Sequence, residues 1–160
     1  MRNWIFAVFL TIIFLYDFKY YLILDKVSIP AIVIALALNV TINLISTQHS
    51  VFNYLGQYLL AGAVCGGFFL LQFLISKGKC IGGGDIRLGF LMGIMLGWPH
   101  VLAAIFLAYI GGSIIGLALI AARQASMKSQ IPFGTFLTIS TFVVLLWGSG
   151  IIEWYLSFTF

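Results

Sequence analysis

Residues 82–98 read GGGDIRLGFLMGIMLGW: three glycines, an aspartate, an arginine, then an apolar run ending on tryptophan. The glycines recur at helical spacing, with Gly89, Gly93 and Gly97 following Asp85 at i+4, i+8 and i+12. Such a stripe lets a neighbouring helix approach backbone to backbone, so it aims Asp85 toward a protein interior. The uncharged part, Leu88 to Trp98, is eleven residues long. At about 1.5 Å per residue it cannot cross a hydrocarbon core of about 30 Å. The helix must borrow the turn that holds Asp85. If the surroundings are a bilayer, a carboxylate is drawn to membrane depth, where an ionisable side chain is costly and marks function by default.

The composition requires that bilayer. Only 8% of the 160 residues are charged, 8 Lys+Arg and 4 Asp+Glu, against about 25% in a soluble domain. The hydrophobic fraction is 62% and the mean hydropathy is +1.15. A chain this short cannot hide so much apolar surface from water, which excludes a soluble domain, and disorder with it. The net charge of +4 is spread over isolated residues with no nucleic-acid motif. Cys65 and Cys80 make no CxxC and no metal-ligand spacing, and Cys65 reads as a small buried thiol. Met1-Arg2-Asn3 followed by Trp4 to Tyr16 imitates a signal peptide, but the run meets Asp17-Phe18-Lys19 instead of a small-residue cleavage site. A retained helix is expected.

Six segments are apolar enough to cross: 3–23, 28–46, 52–76, 82–98, 101–122 and 134–157. Turn or breaker residues separate them, at Lys26 to Pro30, Ser46 to Ser50, Lys77-Gly78-Lys79, Trp98-Pro99-His100 and Arg123 to Pro132. No linker is long enough to divide domains. The fold class expected is all-α, a polytopic membrane protein of six helices forming one domain over 1–160. With the N-terminus outside, Lys19, Lys26, Lys77, Lys79, Arg87, Arg123 and Lys128 all face the cytoplasm and only Arg2 faces out. The positive-inside rule therefore favours N-out/C-out, with Trp4, Trp98 and Trp154 near the outer interface.

The first helix is short in the same way as the fourth. Its uncharged part, Trp4 to Tyr16, has thirteen residues, and Asp17 follows. Asp17 lies thirteen residues from Trp4, and Asp85 lies thirteen residues from Trp98. Both acids are then about 20 Å below the outer belt and about 10 Å inside the cytoplasmic face. Two acids at one depth can meet. Taken singly, Asp17 is equally readable as a helix-end acid paired with Lys19, and Asp85 as an ion pair with Arg87. The shared depth and the Gly82-Gly83-Gly84 entry, free to unwind and admit another chain, favour a joint role. Two inward carboxylates share one proton, so that one activates water while the other polarises a carbonyl. Ion or proton coupling along a transport path is the competing chemistry. His49 and His100 fall on the outer side, which argues against a metal there.

Asp17, with Asp25 eight residues on and then Ile29-Pro30, resembles the first block of the type IV prepilin peptidases. Gly82-Gly83-Gly84-Asp85-Ile86-Arg87-Leu88 resembles that family's GxGD block, and Ile131-Pro132-Phe133-Gly134 its late I-P-F-G block. The blocks keep their order from about residue 10 to the C-terminus. The resemblance implies an intramembrane aspartic protease that cuts prepilin leaders at the cytoplasmic face, with Asp17 and Asp85 as catalytic aspartates. Many bacterial members also carry a zinc-binding insert with paired CxxC motifs and N-methylate the product. This chain has neither, so a peptidase-only form without cofactor or metal is expected. Leu24 stands where proline is common, Arg87 where lysine is common, and Thr135 where another proline is frequent.

Gly82, Gly83, Gly84, Arg87 and Lys19 are expected to shape the site or touch substrate. Arg87 is equally readable as a cytoplasmic anchor, and Lys19 more simply so. Asp25, beside Lys26, reads as a solvated or capping acid. Glu153 has no evident partner, and Asn39 and Asn43 read as interhelical hydrogen-bonding residues. The expected function is endoproteolysis of prepilin or pseudopilin leaders in the cytoplasmic (inner) membrane. The expected partners are that precursor and the lipid bilayer, without nucleic acid. The alternative is an ion- or proton-coupled small transporter using the same acids.

Overall fold

The computed structural model describes residues 2–46, 51–78, 81–123 and 132–157. His49, Lys79, Cys80, Lys128, Ile131 and the turn drawn over 47–50 lie outside the described residues. Six helices follow one another: α1 Arg2–Tyr20, α2 Asp25–Ser46, α3 Val51–Ser76, α4 Gly83–Leu96, α5 His100–Ala121 and α6 Phe133–Ser157. In lipid a helix satisfies its own backbone polar groups, and the long apolar stretches therefore all take that form.

The distribution of side chains is that of a membrane protein. Bulky apolar residues such as Leu15, Val33, Leu60, Ile75, Phe106 and Trp147 are exposed around the bundle. The interior instead collects small and polar residues, among them Ala31, Ala61, Ala104, Ser28, Asn39 and Thr141. Small side chains permit close helix approach, and hydroxyls and amides find partners away from lipid.

Close contacts fix the helix directions. Asn3 on α1 donates to the Leu145 carbonyl of α6, while Thr135 of α6 donates to Asp17 of α1, so these helices run antiparallel. Along α3 and α4, Gly62 lies against Ile94 and Gly66 against Phe90 and Ile86, again antiparallel. One end of the bundle holds Asp17, Ile23, Asp25, Asp85 and Thr135; the other holds Arg2, Asn39 and Ile94.

Five of the six helices are long and apolar enough to cross a membrane, and α4 is the exception. Its 14 residues extend about 21 Å, so the expected sixth crossing is a short helix enclosed by others. It packs against α2, α3, α5 and α6 and buries Asp85, Leu88, Gly89, Leu91, Met92, Gly93, Ile94 and Met95. The glycine stripe makes this possible: a Cβ at Gly93 would stand 2.4 Å from the Ala61 carbonyl oxygen, and one at Gly89 2.4 Å from the Phe69 ring.

Because α4 stops inside the bundle, its terminal carbonyls need partners. Gly97, at φ 69°, turns its N–H back to the Gly93 carbonyl. Asn39 of α2, fully buried, donates from Nδ2 to the Ile94 carbonyl at 2.6 Å and accepts from Arg2 at 3.1 Å. Asn39 is thus interhelical, as expected. Asn43 donates to the Asn39 carbonyl one turn back in its own helix.

Two expectations near the other end are corrected. Pro30 lies inside α2, which begins at Asp25, so the break drawn over Lys26 to Pro30 is helical and the helix starts ahead of the expected 28. Proline removes one helical bond, to the Lys26 carbonyl, close to a helix end where that carbonyl can be met by water. The glycines 82–84 do not unwind: Gly82 caps α4, and Gly83 and Gly84 are its first turn.

Candidate active site

Asp17 occupies the last turn of α1 and Asp85 the first turn of α4, both buried at 5% and 7% exposure. The two carboxylates are held by different donors. Asp85 is the third residue of α4 and accepts the Gly82 N–H at 3.0 Å through Oδ2, the acidic half of a capping box. Asp17 reaches across to the start of α6, where its Oδ2 accepts the Thr135 hydroxyl at 2.9 Å. Gly134 leaves the room: a Cβ there would lie 2.8 Å from Asp17 Oδ2.

What joins the two acids is the short segment after α1. Tyr21, at φ 54°, donates its N–H to the Asp17 carbonyl and reverses the chain. Ile23 is thereby folded into the bundle, at 8% exposure. Its side chain touches both glycines beside the acids: a Cβ at Gly84 would lie 2.8 Å from Ile23 Cβ, and one at Gly134 3.0 Å from Ile23 Cδ1. Ile23 thus packs against the residue before Asp85 and the residue before Thr135, the donor to Asp17.

The charged neighbours point elsewhere. Residues two apart on a helix face different sides, so an inward Asp85 turns Arg87 outward. Arg87 forms an ion pair with Asp25 at the start of α2, both about half exposed. The local pairs considered for the acids, Asp85 with Arg87 and Asp17 with Lys19, therefore do not form. Asp25, expected as a solvated or capping acid, is the first residue of α2 and pairs with Arg87. Lys19 is exposed, with its Nζ 5.2 Å from the centroid of the Tyr20 ring. Of the site-shaping residues expected, Gly82 touches Asp85 and Gly84 touches Ile23, while Gly83 has open space where a Cβ would be.

Thr135, Gly134 and Ile23 were not singled out as site residues by the sequence. Gly134 carried a signal in its I-P-F-G block, and Thr135 in replacing a frequent proline. Ile23 carried none. His100 packs beside Gly148 at the opposite end of the bundle from the acids. Among the described residues no three His, Cys, Asp or Glu side chains cluster as metal ligands would.

Apolar helices define a polytopic membrane protein, with two buried carboxylates at one end of its bundle. The chain belongs to the type IV leader peptidase family, which residues 4–117 match, a span that includes both acids. Similar proteins include the prepilin leader peptidase/N-methyltransferase of Legionella pneumophila, 31% identical over 142 residues, covering 89% of this chain and 48% of that protein. The protein of the same name from Aeromonas salmonicida (strain A449) is 38% identical over 116 residues, covering 66% of this chain and 40% of its own. That of Bacillus subtilis (strain 168) is 29% identical over 97 residues, 61% of this chain and 39% of its own. The chain spans about half or less of the length of these relatives. No solved structure matches it.

Proposed function

We propose that the chain is an intramembrane aspartic endopeptidase that removes the leader of type IV prepilin-like precursors, pilins or pseudopilins. The observation that carries this reading is that Asp17 and Asp85, from helices far apart in sequence, are both buried at the bundle end where Ile23 packs against Gly84 and Gly134, in a leader peptidase family member. The relatives named above are prepilin leader peptidases joined to an N-methyltransferase. The reading takes up the peptidase reaction alone.

One carboxylate of the pair, ionised, accepts a proton from a water molecule as its oxygen attacks the scissile carbonyl carbon. The other, protonated, donates to the carbonyl oxygen, giving a neutral tetrahedral diol. Collapse of the diol breaks the C–N bond as the first carboxyl returns its proton to the leaving amine. In the same collapse a diol hydroxyl gives its proton to the second carboxylate as its oxygen becomes the product's carbonyl, which restores the shared proton. Because the pair exchanges one proton between two sites, its titration belongs to the dyad.

The bundle end that holds the acids also holds Lys19, Lys26 and Arg87, which the positive-inside rule assigns to the cytoplasm of the inner membrane. Cleavage there suits a precursor whose short basic segment meets an apolar helix at the membrane surface. The orientation is N-out/C-out, with Arg123 on the cytoplasmic side as well.

Purified protein incubated with a prepilin tests the reading by release of the leader. Cleavage that persists in chelator and disappears in both Asp17→Asn and Asp85→Asn supports it. Wild-type cleavage by either folded variant overturns the dyad. Ion flux into proteoliposomes with no proteolysis replaces the reading with coupled transport.

A further inference from the structure

Four hydroxyl residues are buried along α6: Thr135, Thr138, Ser140 and Thr141. Three of them bond within their own helix, as hydroxyls in helices commonly do. Thr138 donates to the Gly134 and Thr135 carbonyls, and Ser140 and Thr141 to the Leu137 carbonyl. Thr135 differs for a positional reason. It is the third residue of α6, so the carbonyls three and four residues back belong to the segment before the helix. Its hydroxyl turns outward and donates to Asp17, 118 residues away in sequence.

We infer that Thr135 is a positioning residue for the Asp17 carboxylate, holding it by its hydroxyl at the seat that Gly134 leaves open. A carboxylate on an aspartate rotates about two side-chain bonds, and only some rotations aim it at a partner on another helix. A donated hydroxyl on Oδ2 with the carboxylate pressed against the Gly134 backbone fixes that rotation. The bond also ties the end of α1 to the start of α6, so the acid moves with α6. The seat lies beyond the residues matched by the family.

The inference rests on the dyad reading above, and the test separates the two. Prepilin cleavage is compared in wild type, Thr135→Val, Thr135→Ser and Asp17→Asn. Valine keeps the branched shape and the backbone N–H and loses only the hydroxyl. The expected result is a kcat lower by about tenfold in Thr135→Val, as for loss of one bond to a charged group, with KM nearly unchanged. Thr135→Ser should recover most of the rate, and thermal unfolding in detergent should be alike for all. If Asp17→Asn is inactive while Thr135→Val keeps the wild-type kcat, the positioning role alone is overturned. It is also overturned if serine is as slow as valine, or if the loss falls on KM. If Asp17→Asn cleaves normally, the dyad reading itself fails.

Discussion

Gly134 and Asp17 compete for the same space, and the absence of a side chain at residue 134 decides which occupies it. Adding one methyl group would put a carbon 2.8 Å from Asp17 Oδ2 and 2.9 Å from its Cγ. The carboxylate would have to retreat, and a displacement of about 1 Å at a reacting group costs on the order of a hundredfold in rate. Gly134→Ala is accordingly expected to lose about that factor in prepilin cleavage. Gly111→Ala, which has open space for its Cβ, should cleave at the wild-type rate. Equal rates for the two variants would show that the seat does not matter. The sequence made Asp17 and Asp85 conspicuous because charge is rare in this chain and both stand thirteen residues from a tryptophan. It gave no sign of Ile23, one apolar residue among many, because only the chain reversal at Tyr21 brings that side chain against Gly84 and Gly134.

At the level of elements, α4 is the piece whose length and surroundings depart from a plain crossing helix. It is too short for the bilayer, and it buys its place by packing backbone to backbone with α3. A Cβ at Gly93 would lie 2.4 Å from the Ala61 carbonyl oxygen and 2.5 Å from Gly62 Cα, both backbone atoms. No rotamer change relieves such contacts, so the helices must separate. Gly93→Ala is expected to destabilise the folded protein by about 1–3 kcal/mol, the usual cost of overpacking. Gly67→Ala, with nothing within 4 Å of its Cβ, should be close to neutral. Thermal unfolding of both variants in one detergent measures the difference. The stripe that requires this packing was readable at its i+4 spacing. The capping of Ile94 by Asn39 was readable only as far as an interhelical role, because its acceptor is a backbone carbonyl that no pattern of side chains announces.

For the whole molecule, the positive charges and the bundle geometry can be tested against each other. The contacts put Asp17, Asp25, Asp85, Arg87 and Thr135 at one end and Arg2, Asn39 and His100 at the other. The proposed orientation sets the first end in the cytoplasm. In a background with both cysteines replaced, Lys77→Cys should resist a membrane-impermeant maleimide applied to intact cells, and Trp98→Cys should react. The reverse pattern would invert the topology and place the acids near the outer face.

By itself the sequence determined that the chain is helical and membrane-embedded, since so few charges on so much apolar surface leave no soluble solution. It also gave the expectation that two carboxylates share a depth, because helical rise converts residue spacing into distance. Only the tertiary structure decided what each acid meets. Partner choice depends on which faces of separate helices are brought together, and that follows from backbone approach at glycines and from chain reversals, not from periodicity. So Arg87 left Asp85 for Asp25, the glycines before Asp85 became a helix start, and a threonine 118 residues from Asp17 became its hydrogen-bond donor.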